Sequence, residues 1–300
     1  MKVMIAGAGG FIGSAISEYL KNVGHDVFNH IRSINSEITF DSLPADVDVI
    51  VNAAGKLGIP GVDINKLKQS NTILPSILAD FCAKHRIHLI HLSTPGVIGL
   101  YANVSENSPF NPWGDYEKTK KDGEVILRKH IQLPPEKLTI LRPDFVYGPG
   151  DLHKLELFRQ VDKGWIPLIG RNGARLRPTF SEDVCRAVES SLPGGRLNGG
   201  LYNIGGPEIV TFREFTREIS DALGKDMRCI SIPRLAFRIG LLLGPLRPKA
   251  LSRSRFRLFG EDHYVSIDKA ASVGFSPSWR VSDGIARTVS WYQNMKLLSL

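Results

Sequence analysis

The hydrophobic pattern at the start of the chain predicts a strand, a tight turn and a helix. The segment Lys2–Ala6 is almost wholly apolar and stops at a cluster of glycines. After the glycines, apolar side chains recur at Ile12, Ile16, Tyr19 and Leu20, a spacing that places them on one helical face. The chain therefore begins with a strand–turn–helix unit.

The alternation of apolar runs and amphipathic segments continues to residue 150. The pattern predicts strands over residues 24–31, 47–55, 88–94 and 137–143, and a short edge strand over 37–41. It predicts helices over 71–84 and from residue 115 onward, with an irregular, proline-containing loop over 95–113. Strands that alternate with helices indicate an α/β fold built on a Rossmann-type, doubly wound parallel sheet.

The pattern changes after the cluster Gly148, Pro149 and Gly150. Here it predicts helices over 152–163 and 212–223, a segment that enters a helix over 176–187, a strand over 201–206 and a last helix that ends at Tyr292. We expect residues 1–150 to form the sheet domain, with residues 178–206 returning to it. Residues 151–300 are expected to form mainly a smaller C-terminal α/β domain.

Three glycines form the pattern G-x-x-G-x-x-G between the first strand and the first helix. Gly7 permits a sharp turn, Gly10 lets a pyrophosphate approach the backbone, and Gly13 lets the helix pack closely on the strand. Backbone N–H groups at the helix start, around Phe11 and Ile12, would face the phosphates. The motif thus predicts that residues 1–150 bind a dinucleotide, NAD(P).

The residues after the second strand bear on the choice of cofactor. In dinucleotide folds an acid at this strand end binds the ribose hydroxyls of NAD, but Arg32 stands here, followed by Ser33. A guanidinium beside a hydroxyl suits the extra phosphate of NADP. Asp41 is expected to face the adenine, and Ala53 and Ala54 to let the cofactor lie close to the backbone. We therefore predict NADP as the preferred cofactor and NAD as the alternative.

Tyr116 and Lys120 are four residues apart and share one face of the predicted helix. A tyrosine exchanges a proton with a sugar or alcohol oxygen only if its pKa falls toward neutrality, and a nearby lysine cation lowers it. Ser93 and Thr94 offer hydroxyls, at the end of the preceding strand, that can hold the reacting oxygen. With a nicotinamide to carry hydride, these groups predict an oxidoreductase in which Lys120 also binds the nicotinamide ribose.

Composition and charge narrow the choice of partners and compartment. The net charge of +8 and pI of about 9.4 favour anionic partners, whether a phosphorylated ligand, nucleic acid or an acidic membrane. No recognition motif accompanies the charge, so a nucleic-acid partner is not expected.

The chain has three cysteines, Cys82, Cys185 and Cys229. They are too few and too far apart for a disulfide framework or a metal site, which indicates a reducing cytoplasm. No apolar run is long enough to span a bilayer, and no cleavable leader is expected.

Together these features resemble an extended short-chain dehydrogenase/reductase of the NAD(P)-dependent epimerase/dehydratase group. The resemblance covers nearly the whole chain, and its markers are the glycine motif, residues 52–54, Asn71, Ser93, Thr94, Tyr116, Lys120, residues 141–143 and residues 146–149. It implies a catalytic triad of Thr94, Tyr116 and Lys120, and a contact between Pro143 and the cofactor. The chain departs from the family pattern at Ile98, where a tyrosine is usual, and at Ala6, where a threonine is usual.

The resemblance leaves the branch of the family open. Residues 93–94 and 177–183 are similar to dTDP-4-dehydrorhamnose reductase and related keto-sugar reductases, which consume a dissociable cofactor. Residues 268–270 and 274–277 are instead similar to epimerases and to 3β-hydroxysteroid dehydrogenase-like proteins. We expect an NADP(H)-dependent reductase of a keto group on a nucleotide-linked sugar. The alternatives are a C4 epimerase with tightly bound NAD, a 3β-hydroxysteroid dehydrogenase-like enzyme and, last, a non-catalytic dinucleotide-binding protein.

Substrate and partner contacts are expected in three places. Thr94, Tyr147 and Arg177 are the predicted substrate-binding residues, and the nearby Arg171 and Arg175 are candidates for a diphosphate. The family implies a homodimer through the helices that contain Asn71 and Tyr116. The basic stretch 247–257 can rim the substrate cleft, hold the protein peripherally on an anionic membrane, or form a plain solvated surface.

Overall fold

The computed structural model describes residues 1–30, 43–58, 61–241 and 253–298. The predicted edge strand over 37–41, and with it Arg32 and Asp41, lies outside the described residues. So does most of the basic stretch 247–257, of which the side chains of residues 256 and 257 are described.

The strands are β1 (Lys2–Ala6), β2 (Asp26–His30), β3 (Val49–Asn52), β4 (His88–Leu92), β5 (Ala102–Val104), β6 (Leu138–Pro143), β7 (Val146–Tyr147), β8 (Trp165–Ile169), β9 (Arg175–Leu176), β10 (Thr179–Phe180), β11 (Leu201–Ile204), β12 (Val210–Thr211), β13 (Arg228–Ile232) and β14 (Tyr264–Val265). The helices are α1 (Phe11–Asn22), α2 (Ile64–Lys68), α3 (Leu74–His85), α4 (Asp115–Arg128), α5 (Leu155–Asp162), α6 (Ser181–Ser190), α7 (Phe212–Ala222), α8 (Arg234–Leu241), α9 (Arg253–Gly260), α10 (Asp268–Ser272) and α11 (Val281–Asn294). A π-helical turn over Gln69–Ile73 joins α2 to α3, and short 3-10 helices cover Pro95–Ile98 and Pro135–Lys137.

Within the described residues, six parallel strands form one sheet in the order β11-β6-β4-β3-β1-β2. Its inner strands are near-continuous apolar runs because helices cover both faces. Val3 and Ile5 of β1 pack on one face with the apolar side of α1, whereas Met4 and Ala6 pack on the other face with α3. This arrangement confirms the predicted doubly wound, Rossmann-type parallel sheet.

The second half of the chain builds a separate hydrophobic core. Helices α5, α7 and α11 supply most of it, and aromatic residues such as Phe158, Phe180 and Phe215 fill its centre. The short sheet of β8 and β13 closes one side of this core. Segment 201–204 forms β11 and pairs with β6 at the edge of the main sheet, and α6 packs against α1. The division into domains at residue 150 stays a prediction.

The structure differs from the sequence-based elements mainly at their ends and in the loops. Strand β3 stops at Asn52, so that Ala53 and Ala54 follow it as loop, and α3 is preceded by α2 and the π-helical turn, which the pattern missed. The loop over 95–113 contains β5, which pairs with β14. None of the described helices is both long and apolar enough to cross a bilayer.

Candidate active site

The turn between β1 and α1 contains two glycines that the packing of the chain itself requires. Gly7 has a φ of +88°, and a Cβ atom there would lie 2.6 Å from the Cα and N atoms of Ala54. A Cβ atom on Gly13 would lie 2.1 Å from the carbonyl oxygen of Gly7. These close approaches bring the turn, the start of α1 and the end of β3 into backbone contact.

Gly10 has a different environment. A Cβ atom there would meet only the carbonyl oxygen of Gly7, at 3.4 Å, and its φ of −89° is ordinary for any residue. Gly10 is the N-cap of α1, no side chain caps this helix, and its first turn contains no acid. The backbone N–H groups from Phe11 onward, together with the helix dipole, therefore form an electropositive cradle that fits a dinucleotide pyrophosphate.

The end of β3 is tied to the end of β4 by a buried polar pair. The Asn52 side-chain amide donates to Nδ1 of His91 at 3.0 Å, and its oxygen accepts from the backbone N–H of Ala54 at 3.2 Å. Burial, and then the charge of Lys120, hold the pKa of His91 well below its usual range. His91 is therefore neutral, and it positions the Ala53–Ala54 loop rather than exchanging protons.

Thr94 and Tyr116 come together at the carboxyl edge of the sheet. A hydrogen bond joins their side chains, and the Thr94 hydroxyl also accepts from the backbone N–H of Gly96 at 3.3 Å. The neighbouring hydroxyl of Ser93 instead donates to Glu124 at 2.9 Å in the buried interior. Adjacent residues of extended chain face opposite sides, so only one of the two hydroxyls reaches Tyr116.

Lys120 lies one helical turn beyond Tyr116 and is buried. Its Nζ donates to the carbonyl oxygen of Leu92 at 2.8 Å, and a Cβ atom on Gly55 would lie 3.3 Å from it. Burial lowers the pKa of Lys120 to about 8, although the charge of Glu124 opposes the change. The amine therefore sits between the ends of β3 and β4, beside the predicted cofactor loop.

The pKa of Tyr116 departs from the sequence-based prediction. Burial raises this pKa above its usual value, the charge of Glu117 raises it further, and only the hydrogen bond with Thr94 lowers it. The predicted lowering by Lys120 is wrong for this structure, because burial and the charge of Glu117 dominate the pKa of Tyr116. The amine of Lys120 donates instead to the Leu92 carbonyl oxygen. Tyr116 is consequently held in its protonated form.

Glu117 is a site residue that the sequence reasoning missed. Its carboxylate accepts hydrogen bonds from the backbone N–H groups of Gly114 and of Glu117 itself. Added Cβ atoms on Gly96 and Gly114 would lie 2.7 Å and 2.6 Å from its side chain. Burial raises its pKa. The sequence did contain a signal for this residue, because an acid directly follows Tyr116 and a glycine, Gly114, stands at the start of the helix.

Contacts with the π-helical turn hold α4, the helix that contains Tyr116 and Lys120, in place. Gly123 lies against the π-helical turn, where a Cβ atom would be 2.1 Å from the carbonyl oxygen of Asn71. The Asn71 side chain bonds both the N–H and the carbonyl of Lys56, and donates to the Thr119 hydroxyl at 3.1 Å. Asn71 therefore joins α4 to the loop that follows Ala53 and Ala54.

A buried ion pair supports α4 one helical turn beyond Lys120. Glu124 accepts from Nε of Arg142 at 3.0 Å, from Nη2 of Arg142 and from the Ser93 hydroxyl. Both charged side chains are fully buried. Through Arg142 and Ser93, Glu124 connects α4 with the ends of β6 and β4. These contacts fix the position of Tyr116 relative to the sheet.

The predicted substrate residues have unequal support. Tyr147 is buried in the core of the second half, where its hydroxyl donates to the Val281 carbonyl at 3.3 Å, and this position does not fit a substrate contact. Arg177 is half-buried; its Nη1 donates to the Gly206 carbonyl at 3.2 Å, whereas its buried Nε has no partner. Burial lowers the pKa of Arg177, and the charge of Asp144 opposes this.

The remaining predicted cofactor residues are placed as follows. Phe11 and Ile12 form the half-buried first turn of α1, and Pro143 is a half-buried residue at the end of β6. Arg32 and Asp41 lie outside the described residues. Among the side chains of the described ranges, no three His, Cys, Asp or Glu residues group as metal ligands would.

A cavity of about 240 Å³ lies near the start of α4. Trp113 and Arg257 line it, and the guanidinium of Arg257 lies 5.6 Å from the centre of the Trp113 ring. The charge of Arg257 lowers the pKa of Glu117, so the cavity is linked electrostatically to the residue next to Tyr116. Tyr101 and Asn111 add hydrogen-bonding groups to its wall.

Comparison with known proteins gives consistent results. The profile of the NAD dependent epimerase/dehydratase family matches residues 3–205. A 2-alkyl-3-oxoalkanoate reductase of Stenotrophomonas maltophilia (strain K279a) is 25% identical over 328 residues, which cover 96% of this chain and 98% of that protein. An N-acetyl-alpha-D-glucosaminyl-diphospho-ditrans,octacis-undecaprenol 4-epimerase of Escherichia coli O157:H7 is 22% identical, over 96% of this chain and 94% of its own length.

A solved structure shows the same fold. The crystal structure of UDP-glucuronic acid 4-epimerase from Bacillus cereus, in complex with UDP-glucuronic acid and NAD, superposes with a TM-score of 0.75. The superposition covers 98% of this chain and 100% of that chain, at 23% sequence identity.

Proposed function

Because this chain belongs to the NAD-dependent epimerase/dehydratase family of the extended short-chain dehydrogenases/reductases, we propose that it is an NADP(H)-dependent reductase of a keto group on a nucleotide-linked sugar. The observation that supports this proposal best is the joining of Thr94 and Tyr116 by a hydrogen bond, with Lys120 one turn further along the same helix. Family membership makes the chain an enzyme with oxidoreductase-type chemistry; the direction, cofactor form and substrate are the proposal.

Each residue has a defined task in the proposed reaction. A nicotinamide bound beside these residues would supply the hydride for the carbonyl carbon. Tyr116 would donate its phenolic proton to the carbonyl oxygen. Thr94 holds that oxygen by the hydroxyl that already contacts Tyr116. Lys120, beside the loop after β3, binds the ribose next to the nicotinamide. Gly7, Gly10, Gly13, Phe11 and Ile12 form the turn that holds the pyrophosphate, and Ala53, Ala54 and Pro143 line the strand ends beside it.

The environment of Tyr116 is compatible with reduction. An ordinary tyrosine carries its proton at neutral pH, and burial and the charge of Glu117 raise the pKa of Tyr116 further. A protonated phenol is the form that donates to a carbonyl oxygen, whereas an oxidation requires the phenolate. An epimerase needs both steps in each turnover and would benefit from a pKa closer to neutrality.

The preference for NADPH rests on Arg32 and Ser33 in the sequence alone. We expect cofactor-free protein to bind NADPH more tightly than NADH in a fluorescence titration, because a guanidinium pairs with the 2′-phosphate. A preference for NADH would remove the proposed role of Arg32.

A nucleotide-linked sugar is supported by the cavity beside α4 and by the related proteins. Trp113 and Arg257 offer an aromatic surface and a guanidinium, which suit a base and a diphosphate. Arg177 has a buried Nε without a partner and is the second candidate for an anionic group. The Bacillus cereus structure contains UDP-glucuronic acid, and the Escherichia coli relative is named for a diphosphate-linked sugar.

A C4 epimerase with tightly bound NAD is the second candidate, and two relatives named as 4-epimerases favour it. The two candidates differ in the fate of the cofactor. With a UDP- or dTDP-linked 4-keto-hexose and added NADPH, a reductase oxidises one NADPH per product, which is followed at 340 nm. Conversion of a UDP-hexose to its C4 epimer without added cofactor would instead favour the epimerase.

The test of the site is Tyr116→Phe, which removes the proton donor and keeps the ring. We expect NADPH consumption to fall by at least about a hundredfold, with unchanged cofactor affinity in the fluorescence titration. Tyr19→Phe is the matched control, because the Tyr19 hydroxyl bonds Glu189 on the far side of α1. Full turnover by Tyr116→Phe would overturn the mechanism.

Two further parts of the proposal concern assembly and compartment. We propose a homodimer through the helices that contain Asn71 and Tyr116; Ile73, half-exposed on the π-helical turn, offers an apolar contact there. The three cysteines are free, and a cytoplasmic location stays a prediction.

A further inference from the structure

We propose that one outer face of the second half, formed by Trp165, Pro167, Ile230, Leu235 and Ile239, docks on an anionic lipid bilayer. This face, called the α8 face below, lies on the sheet of β8 and β13 and on the helix that follows it. The inference is independent of the reaction proposed for Tyr116.

The two strands of this sheet place apolar side chains side by side on their outer surface. β8 and β13 are parallel, and Pro167 is paired with Ile230. Because side chains alternate along a strand, Trp165 and Pro167 share one face, whereas Ile166 and Leu168 point into the core. Trp165 is 43% exposed and Ile230 is 53% exposed.

Helix α8 covers one end of the same surface. Ile169 and Ile232, the next pair along the strands, pack against Phe237 of α8 and Phe256 of α9. Leu235 and Ile239 lie two residues to either side of Phe237, and therefore on the opposite side of the helix. They are 70% and 56% exposed. Since Phe237 faces the sheet, Leu235 and Ile239 point outward in the same direction as Ile230 and Trp165.

All five side chains are exposed, and they lie on the outer side of the same sheet and of the helix packed on it. Isolated exposed apolar residues are common and need no explanation; Ile131, at 98% exposure in the loop after α4, is one. A cluster that combines a tryptophan with branched aliphatic residues is instead typical of proteins that rest in the interface of a membrane.

The charges around the α8 face favour binding to an anionic bilayer. Arg228, Arg234 and Arg238 are exposed on the same strand and helix. Arg238 is partly engaged, at 3.7 Å from Glu261, and Asp226 precedes β13 as the nearest acid along the chain. The three described arginines attract anionic lipid headgroups and would repel a basic partner.

The first experiment is sedimentation of the full chain with vesicles. Vesicles of phosphatidylcholine alone are compared with vesicles of phosphatidylcholine and phosphatidylglycerol at physiological ionic strength. We expect binding to the second kind only. Leu235→Ser/Ile239→Ser should weaken it by at least about tenfold, because two apolar side chains lose their burial. Arg228→Gln/Arg234→Gln should weaken it by about fivefold for each charge.

Matched controls separate the α8 face from general charge and hydrophobicity. Ile131→Ser removes an exposed apolar residue elsewhere, and Arg217→Gln removes an exposed arginine on α7. Neither should change vesicle binding. The altered residues of the first two variants are exposed, so both should melt at the temperature of the parent, and this is checked by circular dichroism.

A second readout locates the contact. The fluorescence of Trp165 should shift to shorter wavelength when anionic vesicles are added, and Trp165→Phe should abolish the shift while retaining most of the binding. No sedimentation with anionic vesicles would overturn the proposal, as expected if a second copy of the chain occupied the face. Binding that Leu235→Ser/Ile239→Ser leaves intact, or an oligomer that this variant dissociates, would overturn it as well.

Discussion

The two helices of the candidate site, α1 and α4, start in the same way but differ in the charge of their first turns. Both begin at a glycine, Gly10 or Gly114, so neither N-cap residue supplies a side chain to the free N–H groups. The first turn of α1 contains no acid, whereas that of α4 contains Asp115 and Glu117. Glu117 folds back and accepts from the backbone of Gly114.

The difference shows that the start of a helix binds an anion only when the chain leaves it open. At α4 Glu117 accepts from the backbone and both acids offset the helix dipole, so the N–H groups of this helix start do not attract a phosphate, and Glu117 instead influences Tyr116. At α1 the same groups remain available beside Gly10. One helix start is thus suited to hold the cofactor and the other to adjust a proton donor.

The largest expected effect comes from Gly13→Ala, which should disrupt the α1 start sterically. The new methyl group would lie 2.1 Å from the Gly7 carbonyl oxygen, so α1 must move away from β1. We expect the free energy of unfolding, measured in urea without cofactor, to fall by at least about 3 kcal/mol. An unchanged unfolding midpoint would contradict this contact.

Gly10→Ala should separate cofactor binding from folding. Its methyl group meets the protein only at 3.4 Å, so the urea midpoint should stay within about 1 kcal/mol of the parent. NADPH affinity should fall by about tenfold or more, since the methyl group occupies the space of the pyrophosphate. If affinity stays unchanged, the cradle is not where the dinucleotide binds.

Phe11→Asp would place an acid at the first residue of α1, where α4 has Asp115. We expect NADPH affinity about fivefold weaker than in Phe11→Asn, the uncharged variant of similar shape, because the carboxylate repels the phosphates and offsets the dipole. The difference should shrink in high salt. Equal affinities of the two variants at low salt would show that this helix end does not face an anion.

The smallest effect is expected from Glu117→Gln, which opens the start of α4. The charge of Glu117 raises the pKa of Tyr116, so the neutral amide should lower it. Reduction requires the protonated phenol, and its rate falls as pH rises through that pKa. The alkaline limb of the pH–rate profile should therefore move to lower pH. Asp115→Asn, whose acid pairs with the exposed Lys118, should leave the profile in place.

The sequence was sufficient to predict the strand–turn–helix unit and the site helix because their signals are local. Gly7, Gly13 and the apolar run of β1 lie within a few residues of one another, and the four-residue spacing of Tyr116 and Lys120 fixes their common face. The choice of Thr94 over Ser93 was also available, as what the family resemblance implies for the catalytic triad. Extended chain then places these two hydroxyls on opposite sides.

The features that the sequence did not reveal depend on contacts between distant segments. Glu124 resembles any surface acid of a helix until β6 brings Arg142 against it. Tyr147 stands in a family motif, but helix α11 covers it and removes it from the site. The predicted lowering of the Tyr116 pKa by Lys120 is outweighed by burial, which arises only when the chain folds. The α8 face likewise depends on the pairing of β8 with β13.

The buried pair of Glu124 and Arg142 also constrains how this chain can change over generations. Loss of either partner leaves a full charge in the interior, which costs about 3–5 kcal/mol, whereas exchange of both for apolar residues can be nearly neutral. A loss of that size is a large fraction of the about 5–15 kcal/mol by which a folded domain is usually stable. The two positions should therefore be inherited as a unit, either kept together or replaced together.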